Sequence, residues 1–159
     1  MHLVVRRFAL DTLLGQTWRV FSQQAEPHSA GAEWTRAAER FFHTKLEIVV
    51  GEGLTPSERW KGLTFTIDGS ERHVVGRMRT SADLTDARAA EARTGFTGLY
   101  DLAERRCHVV WVVEREGPVD RVALLLAAIL ASVCLGPVLG DDELFGVRTA
   151  RAKLEAPAK

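Results

Sequence analysis

Residues 122–140, VALLLAAILASVCLGPVLG, run for nineteen positions without a charge in a chain of which 26% of the residues are charged. A run of that kind either crosses a membrane or is buried inside a folded domain. A crossing helix needs about 20 apolar residues to span roughly 30 Å of hydrocarbon. The ten Leu, Ile and Val residues here would favour insertion by about 3–6 kcal/mol. Gly136 followed by Pro137 ends a helix, however, and leaves residues 122–135 for the apolar rod. Fourteen residues at roughly 1.5 Å each reach about 21 Å, too short to cross alone. Alanine at 123, 127, 128 and 131 suits close packing on a sheet, Asp120 supplies a cap, and neither end carries an aromatic interface anchor. The pattern predicts a very apolar C-terminal helix over residues 120–136, buried in a folded body.

The rest of the chain is consistent with such a body. At 159 residues it fits one domain, predicted over residues 1–155 with a loose tail at 156–159. Leu10, Leu13, Leu14, Trp18 and Phe21 recur at helical spacing, which predicts a helix over residues 10–24, preceded by a short strand at 3–5. A second amphipathic helix carries Trp34, Ala37, Ala38, Phe41 and Phe42 inward. LEIVVGEG reads as a strand stopped by glycines, and TPSE at 55–58 as a capping box opening a short helix around Trp60. Leu63, Phe65 and Ile67 alternate with polar residues, DGSE turns the chain, and RHVVGRMR returns as the second strand of a hairpin. Two helical segments follow, SADLTDARAAEAR and GLYDLAERR, broken near Gly95 and Gly98. CHVVWVVE is apolar on both faces, the signature of a central strand covered on two sides. The fold class predicted is α+β: a mostly antiparallel sheet of about four strands (46–50, 63–68, 72–79 and 107–114) packed by helices.

Charge and cysteine content narrow the partners. Lysine plus arginine equals aspartate plus glutamate, 21 against 21, so no global field gathers polyanions and nucleic acid is disfavoured. Cys107 and Cys134 both lie in apolar runs and read as buried thiols rather than a disulfide framework. The N-terminal segment lacks a small-residue cleavage site, which predicts a soluble, cytoplasmic protein.

Chemistry is harder to find. Cys107 and His108 suggest a nucleophile and base, but strand neighbours point to opposite faces and cannot pair. The five histidines show no metal spacing, and GEGLTPSERWKG lacks the ending of a phosphate loop. Asp141, Asp142 and Glu143 read as a solvated break rather than a cation site. Arg77, Arg79 and His73 share a strand face, with Asp83, Asp86 and Glu91 placed to neutralise it. No catalytic, cofactor or metal residue is therefore assigned. The function predicted is a non-enzymatic protein–protein interaction domain, an accessory subunit or adaptor of a bacterial system that binds a protein partner or itself. Trp60, Arg77, Arg79 and Phe145 are its candidate interaction surface. The alternatives are an enzyme using Cys107 or a histidine, and a tail-anchored protein held by residues 122–140.

Overall fold

The computed structural model describes residues 17–27, 31–51, 60–95, 97–117 and 119–155. In chain order the elements are β1 (Thr17–Ser22), α1 (Gly31–Phe42), β2 (Leu46–Val50), β3 (Leu63–Ile67), β4 (Ser70–Met78), α2 (Ser81–Thr94), α3 (Leu99–Arg106), β5 (Val109–Glu114), α4 (Arg121–Cys134), β6 (Val138–Leu139), β7 (Leu144–Phe145) and α5 (Val147–Glu155).

Local chemistry sets several of these boundaries. Asp68 and Gly69 both take positive φ, 51° and 79°, the backbone of a two-residue hairpin turn whose twist matches its strands. That turn folds β4 back on β3 with Ile67 opposite Ser70. Thr80 and Asp83 form a reciprocal capping box that starts α2. Asp120 accepts a hydrogen bond from the Ala123 amide and starts α4. After α4 the chain takes a left-handed residue, Leu135, and then Gly136, where any Cβ would stand 2.1 Å from the Phe21 carbonyl oxygen. Only a residue without a side chain lets the chain pass so close to β1 and begin β6.

The strands form one sheet in the order β2-β3-β4-β5-β1-β6-β7, with every neighbouring pair antiparallel. Among the described residues it has seven strands, not the four expected. The additions are β1, β6 and β7. β1 overturns the helix expected over 10–24, of which residues up to 16 lie outside the described part. Trp18, Val20 and Phe21 are all buried because β1 is paired on both sides and covered on both faces, so its apolar residues do not alternate. β6 and β7 have two residues each, too few to show a period. In place of the C-terminal helix expected over 120–136, α4 covers Arg121–Cys134 and is not the last element. The uncharged run divides into α4 and β6, and β7 and α5 follow. The strand expected at 3–5, the capped turn at 55–58 and the tail at 156–159 lie outside the described residues.

Helices cover both faces. On one, α1, α4 and α5 pack over Trp18, Val20, Val74, Val109, Trp111 and Val113. On the other, α2 and α3 cover Phe21, Val110, Val112, Leu139 and Leu144. α4 lies between α1, α5 and β1, which is why a helix apolar almost all round is tolerated here. Its Leu126, Ile129 and Leu130 are each 0% exposed, and burial of each is worth about 1.5–3 kcal/mol. Among the described residues, no helix is long and apolar enough to cross a membrane.

Candidate interaction surface

The side chains singled out in the sequence fall in different places. Arg77 is not free: its guanidinium makes a two-pronged contact with Asp83, at 2.7 and 2.8 Å. Asp83 also accepts from Arg19 at 3.1 Å and from the Thr80 amide at 2.8 Å. Burial alone would raise the Asp83 pKa, but the bonds from Arg77, Thr80 and Arg19 hold it below the ordinary carboxylate value. Arg79 donates from Nη1 to the carbonyls of Ala103, Glu104 and Cys107, closing the C-terminal end of α3. Phe145 is 1% exposed and stands edge-on to Trp18, so it belongs to the core and is corrected out of the surface. Trp60 is half-buried against the main core, with the Lys61 ammonium 5.0 Å from its ring centre. Arg77 and Arg79 thus lie together near the end of β4, Trp60 lies just before β3, and Phe145 lies at the opposite edge of the sheet.

The groups with chemical potential are also engaged. Burial pushes the Cys107 thiol up to about 11, with Arg79 opposing the rise and Cys134 adding to it. Burial pushes Cys134 up to about 11 as well. Both are protonated thiols near neutral pH and not activated nucleophiles. His108 is exposed while Cys107 is buried, as their strand-like succession requires. The three acidic residues after β6 diverge to three cations: Asp141 to Arg115 at 2.6 Å, Asp142 to Arg93, and Glu143 to Lys153 at 2.6 Å. Among the described residues no cluster of His, Cys, Asp or Glu could hold a metal ion.

What the sequence did not reveal is the outer margin of the sheet. β2 is an edge strand, and among the described residues nothing pairs with its outer side. The Gly51 amide donates to the Gly62 carbonyl, so in this antiparallel ladder Val49 and Glu47 also bond toward β3. Leu46, Ile48 and Val50 therefore aim their N–H and C=O groups outward. Their side chains face the α1 side, yet burial fades there. Leu63, Phe65 and Ile67 of β3 are at most 1% exposed, whereas Ile48 and Val50 are half-buried. The other sheet face opens in the same region, because α2 and α3 lie over β1, β6 and β7. Val49, 58% exposed, stands there in a row with Thr64 and His73. The far edge is different: β7 is only two residues long, a common way to blunt an edge.

An open groove of about 440 Å³ runs along α1 beside Val133. Its walls alternate Glu33, Arg36, Glu39 and Arg40, the pattern of a solvated helix face. The Arg151 guanidinium already lies over the ring of Phe41 at its rim.

Neither a protein-family model, nor a curated protein, nor a solved structure matches this chain.

Proposed function

We propose that this chain is a protein–protein interaction domain, an accessory subunit or adaptor that receives an extended segment of a partner along β2. The observation that supports the reading is the pairing of outward N–H and C=O groups with half-buried Ile48 and Val50, beside a β3 that is fully buried. An added strand would satisfy the first and cover the second, which is how exposed sheet edges recruit peptides.

Magnitudes set the extent of the interface. Three outward residues offer up to six backbone hydrogen bonds, each with a net worth of about 0.5–1.5 kcal/mol. Association costs about 4–15 kcal/mol in lost freedom, so the edge alone holds a partner weakly. Tight binding must add contacts from the open face around Val49 and His73.

A photoreactive amino acid placed at Val49 tests this in the cells that make the protein, with Arg148, exposed on α5, as the reference position. Discrete covalent adducts from position 49 and none from 148 are expected. Equal labelling at the two positions, or none at 49, overturns the reading.

A further inference from the structure

We infer that the strand received by β2 is β2 of a second copy, so that two sheets join across a two-fold axis at Ile48. This rests on the reading of β2 as the interaction edge and adds the identity of the partner.

The inference comes from testing the registers available to two antiparallel β2 strands. Only residues whose backbone groups point outward can exchange hydrogen bonds, and these are Leu46, Ile48 and Val50. The strand cannot pair further back, because the Thr44 amide already donates to the Ala38 carbonyl at the end of α1. With Ile48 opposite Ile48 of the second copy, Leu46 meets Val50 and all three outward residues are used. Leu46, Ile48 and Val50 then form one apolar row with their counterparts, continuous with the core under α1. On the other face Glu47 meets Val49 of the second copy. Sliding by two residues one way sets Glu47 against Glu47, and like charges directly opposite are unfavourable. Sliding two the other way sets Ile48 against Val50 and Leu46 against position 52, which lies outside the described residues, so only two of the three outward residues pair within β2. The register centred on Ile48 is thus the most fully bonded of the three within β2 and free of a charge clash. Nothing at long range opposes it, since the chain carries 21 basic and 21 acidic residues.

The register makes position 49 a charge-sensitive site. Val49→Lys sets a lysine against Glu47 of the other copy twice per dimer, and Val49→Glu sets a glutamate there. Val49 is 58% exposed, so neither change disturbs the fold of one copy. Molar mass measured by sedimentation over about 10 µM to 1 mM, the range suited to a weak edge pairing, is expected to show a concentration-dependent dimer. Val49→Lys should tighten it several-fold and Val49→Glu should weaken it several-fold. Glu47→Cys mixed with Val49→Cys should form a disulfide between copies, because such non-bonded cross-strand pairs lie about 4.5 Å apart at Cα. Each variant alone should not, since its equivalents sit about 7–8 Å apart across the diagonal. The native thiols are buried and do not compete.

A wild-type chain that stays monomeric throughout that range overturns the self-pairing. A dimer indifferent to both Val49 variants, with no disulfide in the mixture, overturns it too. Adducts to a different protein from position 49, in a chain that is itself monomeric, would leave the edge as an interaction site and refute only the second copy as its occupant.

Discussion

Gly76 and Trp111 face each other across β4 and β5, and the indole takes the space a side chain at 76 would need. A Cβ there would stand 2.5 Å from the ring. Trp111 is held in place from two further directions: Trp34 stands edge-on to it at 4.9 Å, and its Nε1–H donates to Gln24 Oε1 at 3.1 Å. With the ring unable to retreat, Gly76→Ala overpacks the core and is expected to cost about 1–3 kcal/mol. Denaturant unfolding followed by tryptophan fluorescence measures that loss, and an unchanged midpoint would show that the ring yields freely. The burial of Trp111 and both cysteines was legible in the sequence, because each lies inside an apolar run. Phe145 was not. It follows three carboxylates, and nothing local shows that pairing of β7 with β6 sends its ring under Trp18.

At the level of elements, legibility depended on whether a segment carries its own period. β3 alternates and α1 repeats at helical spacing, so both could be read directly. β1 is a six-residue strand buried on nearly every residue, and its Trp18 and Phe21 fell into helical spacing with leucines upstream. The open edge at β2 was unreadable for a different reason: strand order is a property of long-range pairing, which no local pattern encodes. The end of α3 shows the same dependence on distant residues. This helix has eight residues, too few to be stable alone, and its last carbonyls are met by Arg79 from the end of β4. Arg79→Ala should therefore loosen α3 selectively, at about 1.5–3 kcal/mol for a lost charged hydrogen-bond group. Amide hydrogen exchange is the measurement: faster exchange across residues 99–106 is expected, with β5 amides unchanged. Uniform acceleration through both would assign Arg79 to global stability instead.

For the molecule as a whole, two ion pairs fasten helices on opposite faces to the same strand. Asp83, at the start of α2, holds Arg77 of β4 and Arg19 of β1. Asp120, at the start of α4, holds Arg72 of β4 at 2.8 and 2.9 Å. Burial opposes ionisation of Asp120 as it does for Asp83, but Arg72 and the amides of Glu116 and Ala123 outweigh it, so both carboxyls lie below the ordinary value of 3.8. The sign of the pH effect follows from that direction. An unfolded chain takes up these two protons first, so the stability supplied by the pairs is complete above about pH 3.8 and is lost as the pH falls through the lower folded values. The two pairs act on separate faces, so both layers should loosen together in acid. Asp83→Asn removes the buried charge shared by Arg77 and Arg19, leaving Arg19 its ion pair with Asp86, and is expected to cost about 1.5–3 kcal/mol near neutrality. That deficit must shrink on acidification, because the wild-type chain loses the same charge by protonation. Urea midpoints measured from about pH 7 down to about pH 2.5 should therefore show the two proteins converging in acid. Parallel curves would mean that Asp83 acts as a hydrogen-bonding cap whose charge contributes nothing.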